Sequence, residues 1–280
     1  MKNKSILFLL IFLIFGCEEV IDWPVDSDEV RLIVEGRITN EMKAHEITLT
    51  QTADYFNPAD PVPVENAIVT ISDGNETFSL EQSAPGVYRS EPFAGQVGRT
   101  YSLSIALASP LAGESEFTAS STMMAPATLD SMSARNIEEE DFGELFEYTS
   151  LAVWGVGNLE DENGYLIEVY LNDELESDSI DEAVTFDDEF FSEEFVAFEL
   201  YAIEEPMAEE NDSVTLIMHT VEKEFVEFHD QLLTESEPRD PFGLSSPPAN
   251  VSTNISGTAL GYFYASSVDT VTAIVVSELE

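Results

Sequence analysis

The chain has 280 residues, with 10 Lys and Arg against 56 Asp and Glu, and a formal net charge of −46 at pH 7. Proteins bind nucleic acid through basic surfaces that release its counterions, so this charge excludes nucleic-acid binding. Apolar residues make up 44% and aromatic residues 10% of the chain, which indicates a globular protein rather than a disordered one.

The first seventeen residues have the three parts of a bacterial export signal. Two lysines precede an apolar run at 6–15, and Gly16 and Cys17 follow it. A ten-residue helix rises about 15 Å, which is too short to cross the roughly 30 Å core of a bilayer. Residues 14–17 resemble a lipobox, so we predict a lipoprotein signal peptide at 1–16 and lipidation of Cys17, which anchors the mature chain to the membrane.

Residues 17–29 are acidic, contain one Pro and lack a hydrophobic period, which predicts a tether. Residues 30–122 then alternate between short apolar runs and turn residues, and we expect Gly36 to end the first run. Six or seven such strands predict an immunoglobulin-like β-sandwich domain. The runs lie at 30–35, 47–50, 67–71, 77–80, 87–89, 101–107 and 116–120.

Residues 128–280 are predicted to form a second, mostly β domain that contains one amphipathic helix. The helix is predicted at 221–233, with Thr220 as its N-cap. Its apolar face would carry Val221, Phe225, Phe228 and Leu232. Strands are predicted at 148–156, 165–171, 195–203, 214–219, 260–264 and 271–276.

The motifs that identify common enzymes are missing from the sequence. There is no Gly-x-Ser-x-Gly elbow and no His-Glu-x-x-His zinc motif. The three histidines, His45, His219 and His229, are interpreted as surface or partly buried residues rather than as catalytic bases. Carboxylates are too numerous to single out a glycosidase pair. We therefore predict no enzyme activity, no catalytic residue and no cofactor.

Calcium is the metal for which the sequence offers candidate ligands, since it accepts six to eight oxygens from flexible loops. The two densest acidic sets are Glu160, Asp161, Glu162 and Asp187, Asp188, Glu189. Neither set has the register of an EF-hand loop. The acidity of the whole chain has two interpretations, which are a salt-adapted, solvated surface and a field that attracts cations or a basic partner.

Aromatic residues give the candidate ligand contacts, which are Tyr55, Phe56, Phe190, Phe191, Tyr262 and Tyr264. The first two lie in the Pro-rich segment 54–66, which is either a stiff surface connection or a recognition loop. Adjacent aromatic residues cannot all face one side of a strand. We therefore expect some residues of the pair 190–191 and of the triplet 262–264 to be exposed or borne by loops.

The order of several segments resembles the Bacteroidota lipoprotein family known as domain of unknown function 4249 (DUF4249). The resemblance rests on 17–22, 32–40, 53–56, 67–73, 85–88, 186–191, 247–250, 254–256 and 259–263. It implies an outer-membrane lipoprotein, often encoded beside a TonB-dependent receptor, and it implies no established activity. Acidic residues directly after Cys17 also resemble the surface-export signal of Bacteroidota lipoproteins. The extreme acidity departs from the usual member and indicates a saline source.

The expected function is that of a cell-surface, outer-membrane lipoprotein that serves a TonB-dependent transporter as an accessory or cargo-binding partner. The alternatives are a structural or adhesive surface module and an unrecognised hydrolase. A concave, aromatic-lined pocket would favour cargo binding, whereas a flat apolar patch would favour protein contacts. A cleft with two carboxylates of perturbed pKa would favour the hydrolase.

Overall fold

The computed structural model describes residues 29–53, 61–141, 144–156, 162–176, 183–188, 195–203, 208–236 and 251–277. Within these ranges the chain forms sixteen β-strands and one α-helix, so the prediction of a mainly β protein is confirmed. The strands are β1 (Leu32–Thr39), β2 (Glu46–Gln51), β3 (Val62–Pro63), β4 (Ile68–Ser72), β5 (Thr77–Ala84), β6 (Val87–Ser90), β7 (Thr100–Leu111), β8 (Glu114–Thr122), β9 (Thr128–Asp141), β10 (Glu144–Val156), β11 (Asn163–Leu171), β12 (Glu174–Leu175), β13 (Val184–Asp187), β14 (Phe195–Ile203), β15 (Ser213–Glu222) and β16 (Leu260–Ser277). The helix is α1 (Lys223–Ser236).

Eight strands form the first part of the fold, in the order β16-β1-β2-β6-β5-β4-β7-β8. Alternate residues of each strand point into one core, as Leu32, Val34 and Ile38 do on β1. The largest side chains of that core are Tyr88, Tyr101, Phe117 and Phe263. This arrangement fits the predicted sandwich, and the finer immunoglobulin-like assignment stays a prediction.

A short segment before β16 ties together the two ends of this strand order. Asn254 Nδ2 donates hydrogen bonds to the carbonyl oxygens of Ser120 on β8 (3.1 Å) and Phe263 on β16 (2.6 Å). Ser256 N donates to Thr118 O (2.8 Å), and Thr118 N donates to Ser256 Oγ (2.8 Å). Edge groups of β8 and β16 therefore find partners without direct pairing of the two strands.

Strand β16 is the spine that connects the two parts of the molecule. Its residues 260–266 pair in parallel with β1, and residues 267–274 pair in antiparallel fashion with β15. Residues 275–277 then pair in parallel with β9. The predicted ranges 30–122 and 128–280 are thus joined, because the last strand of the chain completes the sheet that begins with β1.

The second part contains a separate core between the β9–β10–β14 sheet and the β11–β15 pair. Strand β10 pairs with both β9 and β14, and β11 pairs with β15, all in antiparallel fashion. Buried residues include Leu151, Val153, Tyr165, Leu216 and Val275. No helix among the described residues is long and apolar enough to cross a membrane.

Two glycines allow β1, β2 and β16 to lie close together. The expectation that Gly36 ends the first strand is wrong, since β1 continues to Thr39. A Cβ on Gly36 would clash with the Ile47 side chain, so glycine is needed there for packing rather than for a turn. Gly261 has φ +90°, and a Cβ there would clash with the Val34 carbonyl oxygen.

The helix begins two residues later than predicted. Strand β15 continues through Glu222, which pairs with Asn163 of β11, so Val221 belongs to the strand. Thr220 is not an N-cap, because it pairs with Ser267 of β16. The strand pairing overrides the helical period that the apolar residues show. The residues that α1 buries are Phe225, Val226 and His229.

Candidate ligand-binding groove

The outer face of the first sheet is built from the residues of β1 and β16 that alternate with the core positions. Three pairs stand side by side there because of the strand register: Ile33 with Leu260, Glu35 with Tyr262, and Arg37 with Tyr264. Helix α1 covers one end of this face. Two adjoining cavities lie on it and share Glu35, Gly36 and Tyr264, and we refer to them together as the groove.

The apolar half of the groove is a cavity of about 570 Å³ between α1 and the β1–β16 face. Its apolar and aromatic lining consists of Ile33, Phe225, Phe228, Leu232, Val251, Leu260, Tyr262 and Tyr264. The volume falls within the range of small-molecule pockets, which are mostly apolar with a few polar groups that fix orientation. Glu35 supplies a carboxylate at the shared edge.

Four aromatic rings form the wall and floor of the apolar half. The ring centroid of Phe225 lies 4.3 Å from that of Tyr264 and 5.6 Å from that of Tyr262. Phe228 packs on Tyr262 at 4.8 Å. Such contacts fix the ring orientations, so the cavity wall is preorganised rather than formed by mobile side chains.

Both tyrosines of the floor stay neutral near physiological pH. Burial raises the pKa of Tyr262, and the nearby carboxylates of Glu222, Glu224 and Glu227 raise it further. Burial also raises the pKa of Tyr264, against the lowering effect of Arg37. The two phenols therefore add aromatic surface to the groove without adding negative charge.

The polar half is a cavity of about 450 Å³ lined by β1, β2, β6 and the segment before β2. Arg37, Lys43 and Arg89 line it, together with Glu35 and Glu46. Ten lining residues at the chain's average composition would include about two acidic residues and fewer than one basic residue. The cavity has the expected number of carboxylates and a marked excess of cations.

Strand register places these charges in a row across three strands. Arg37 is the partner of Glu46, and Glu46 is the partner of Arg89. Arg89 donates two hydrogen bonds to Glu46 Oε2, at 3.1 Å from Nε and 2.7 Å from Nη2. Lys43 pairs with Glu41 at 2.6 Å. The pairs of Arg89 and Lys43 are solvent-exposed, and exposed pairs contribute only about 0–1 kcal/mol, so a ligand can replace them at small cost.

Arg37 also reaches a buried polar network at the junction of the two parts of the fold. It pairs with Glu168 of β11, whose side chain is 12% exposed. Glu168 Oε2 accepts a hydrogen bond from Tyr170 Oη (3.0 Å) and lies 3.4 Å from His219 Nε2. His219 Nδ1 is 3.0 Å from Ser266 Oγ.

The network keeps Glu168 ionised. Burial alone would raise the pKa of its carboxyl, but the neighbouring His219, with Nε2 at 3.4 Å, and Arg37 lower the pKa to about 2. For Arg37, burial lowers the pKa, and Tyr264 and Glu168 outweigh that effect, so the pKa is raised. The guanidinium and the carboxylate therefore stay charged over the whole physiological range.

Ser266, His219 and Glu168 have the order of a nucleophile, a base and an acid, but the geometry does not support hydrolysis. Ser266 is fully buried and His219 is 2% exposed. Neither of them lines the apolar or the polar cavity. A substrate carbonyl has no route to the hydroxyl through the groove, so the arrangement is suited to holding β11, β15 and β16 together.

Two of the sequence-predicted ligand contacts, Tyr262 and Tyr264, line the apolar half. The expectation that part of the triplet 262–264 is exposed or borne by a loop is wrong. Alternation holds along β16, but both faces are covered, because Phe263 points into the first core and the two tyrosines pack against α1. Cys17, Tyr55, Phe56, Phe190 and Phe191 lie outside the described residues.

The three histidines are buried, and the expectation of surface or partly buried positions is wrong. Besides His219, His45 is 2% exposed and its Nε2 lies 2.9 Å from Phe93 O. His229 of α1 lies with Nδ1 2.9 Å from Thr185 Oγ1. Burial lowers the pKa of His45, and the hydrogen bond that its ring donates to the Phe93 carbonyl oxygen opposes this effect.

The described members of the two acidic sets proposed for calcium lie where β11 pairs with β13. Pairing of β11 with β13 brings Glu162 near Asp187 and Asp188. Asp188 Oδ2 accepts a hydrogen bond from Asn163 N (2.8 Å), and Asp187 Oδ2 lies 3.1 Å from Lys223 Nζ. The described residues contain no group of three or more acidic, His or Cys side chains that could hold a metal. Glu160, Asp161 and Glu189 lie outside them, and the calcium hypothesis stays a prediction.

The basic residues of the groove are the functional candidates that sequence reasoning missed. Arg37 and Arg89 look like ordinary outward positions of strands, and Lys43 like a loop residue. The rarity of Lys and Arg in the chain, 10 in 280 residues, is the signal that could have drawn attention to them. Their convergence depends on the β1–β2–β6 order, which no local pattern reveals.

Comparison with known families decides the assignment of the chain. The model of the domain of unknown function DUF4249 matches residues 18–272. The chain belongs to the DUF4249 family. The resemblance found in the sequence is thereby confirmed, and the matched range of this DUF4249 protein includes every residue of the groove.

Other comparisons add little. No curated protein matches the sequence. The structure of the Yersinia pseudotuberculosis adhesin InvE is 17% identical, with a TM-score of 0.21. The match covers 68% of this DUF4249 chain, which spans about half (55%) of that chain. At that TM-score the similarity supports no inference about fold or function.

Proposed function

We propose that this DUF4249 protein is a non-enzymatic binding module that holds a small, largely apolar ligand in the groove. The observation that carries the proposal is the concave cavity of about 570 Å³ with a preorganised wall of four aromatic rings. Tyr262 and Tyr264 form the aromatic floor on which the ligand would lie. The sealed position of Ser266 and His219 supports binding rather than hydrolysis.

The proposed setting is the outer face of a bacterial outer membrane, with the chain anchored through acylated Cys17. Support comes from the lipobox-like end of the export signal, the acidic residues after it, and the resemblance to a lipoprotein family often encoded beside TonB-dependent receptors. In this setting the module would present cargo to a TonB-dependent transporter.

The binding proposal is tested with N-phenyl-1-naphthylamine, a neutral apolar probe whose fluorescence rises in apolar cavities. The full chain carrying Cys17→Ala is titrated, with Phe228→Gln as the groove variant and Ile274→Gln as the control. Phe228 lines the cavity, whereas Ile274 is 53% exposed on β16, far from it in the strand. We expect Phe228→Gln to weaken binding about tenfold and Ile274→Gln to leave it unchanged. Equal loss in both variants, or no binding by the parent, would contradict the proposal.

The partner is tested by affinity recovery of the acylated protein from gently solubilised outer membrane at the salt of the source, with Cys17→Ala as the control. We expect a TonB-dependent barrel to be recovered in stoichiometric amounts with the acylated protein and not with the Cys17→Ala control. Recovery of the lipoprotein by itself, under conditions in which known membrane complexes survive, would remove the transporter from the proposal.

A second candidate, a surface module for protein contacts, is favoured by the outer face of the β16–β9–β10 sheet. Ile274, Val276 and Trp154 are all exposed there. The register places them on one face, with Ser131 and Arg135 of β9 between them. This face is interrupted by polar side chains, whereas the aromatic lining of the groove is continuous, so ligand binding is the better supported function.

A further inference from the structure

The polar half of the groove indicates what kind of head group the ligand carries. Three of the ten Lys and Arg residues of the chain, Arg37, Lys43 and Arg89, line one cavity next to the apolar half. We propose that the groove binds an amphipathic carboxylate, with its apolar body against α1 and its carboxylate among these three cations. This inference rests on the proposed function and assigns its ligand class.

The apolar and polar halves of the groove adjoin each other. Tyr264 and Glu35 belong to both cavities, so a single molecule can pass from one half to the other. Arg37 is the register partner of Tyr264, which puts the guanidinium directly beside the aromatic floor. A ligand whose body lies on Tyr262 and Tyr264 therefore brings its end to Arg37.

The three cations are accessible to a ligand carboxylate in the polar half of the groove. Arg37 donates from Nη1 to Glu168 and also hydrogen-bonds Tyr264, and its side chain is 41% exposed and lines the cavity, so part of the guanidinium is accessible to a ligand. Lys43 and Arg89 are held by the exposed carboxylates Glu41 and Glu46. An incoming carboxylate competes with these weak exposed pairs and can accept two hydrogen bonds from a guanidinium.

The carboxylates of the groove limit the charge that a ligand can carry. Glu35 and Glu46 line the polar half, and Glu41 lies beside Lys43. The three cations are already paired with Glu168, Glu41 and Glu46, and Glu35 adds a further negative charge. An anionic ligand must therefore displace Glu41 or Glu46 from its cation, and a doubly charged phosphate would meet stronger repulsion than a singly charged carboxylate. Among anions, the site therefore favours a monoanion with an apolar body.

The test compares three molecules with the same ten-carbon chain, decanoate, 1-decanol and decylamine, as competitors of N-phenyl-1-naphthylamine. The protein is the full chain carrying Cys17→Ala. We expect decanoate to compete about tenfold better than 1-decanol, and decylamine to be the weakest. The advantage of decanoate over 1-decanol should shrink severalfold in the double variant Lys43→Gln/Arg89→Gln, in which Arg37 is the one cation left of the three.

Arg99→Gln is the matched control, because Arg99 pairs with Asp73 in the turn after β4 and does not line the groove. This variant should keep the full advantage of decanoate. Thermal unfolding of each variant shows whether it is folded.

The outcomes separate the two proposals. If the neutral probe binds but the three competitors are equal, or decylamine is the strongest, the head-group inference is overturned while the binding function stands. A decanoate advantage that is undiminished in the double variant also overturns the assignment of Lys43 and Arg89. If the neutral probe fails to bind, the proposed function and the inference both fall.

Discussion

Glu168 shows how one buried carboxylate connects the groove to the rest of the molecule. It lies on β11, and it joins Arg37 of β1 to His219 of β15. The sequence presents Glu168 as one of 56 acidic residues, and its role follows from which cations the fold brings to it. Tyr262 and Tyr264, which line the groove, could be singled out from the sequence because aromatic density is a local property, whereas ion pairs between distant strands are not.

Glu168→Gln should destabilise the protein in a pH-dependent way. The pKa of Glu168 is about 2 in the folded protein against an ordinary value of 4.5, so its contribution is fully present above about pH 4.5 and is lost as the pH falls toward 2. We expect a loss of about 3 kcal/mol in the free energy of unfolding at pH 7, and a smaller loss below pH 4.5. Chemical denaturation at a series of pH values measures it, with the exposed Glu91→Gln as the control. A penalty that does not change between pH 7 and pH 3 would show that the ionised pair is not its source.

Strand β16 is the element on which the whole architecture depends. It pairs in turn with β1, β15 and β9, and its first half carries the floor of the groove. Its apolar runs were predicted as strands, but alternation says nothing about partners. The parallel pairing with β1 links residues more than 200 positions apart, and only tertiary packing decides it. Tertiary packing also explains why the helix start was misplaced. Pairing with β11 keeps β15 extended through Glu222, so the first two residues of the predicted helix belong to a strand.

Gly261→Ala tests the close approach of β16 to β1. Gly261 combines φ +90° with a hypothetical Cβ that would strike the Val34 carbonyl oxygen. Gly74 is the matched control, because its φ is +86° and a Cβ there meets nothing within 4 Å. We expect Gly74→Ala to lower the free energy of unfolding by about 1 kcal/mol, and Gly261→Ala to lower it by at least about 2 kcal/mol more than that. Denaturant unfolding measures both values. Equal costs would mean that the strands can separate to accept a side chain.

At the scale of the whole molecule, a strongly acidic chain surrounds a groove that gathers basic and aromatic residues. The alternation of apolar runs and turn residues correctly indicated a mainly β protein, and the family assignment agrees with the resemblance in the sequence. The groove itself could not be predicted, because β1, β2, β6, β16 and α1 each contribute to it. Its aromatic and basic parts become one surface only when the C-terminal strand returns to the N-terminal one.

The most direct test of the central claim is a crystal structure of the full chain carrying Cys17→Ala, grown with N-phenyl-1-naphthylamine. We expect the probe between α1 and the β1–β16 face, in contact with Phe228, Tyr262 and Tyr264. A probe bound on the exposed face near Ile274, with the cavity beside α1 closed by its own side chains, would contradict the assignment of the groove as the binding site.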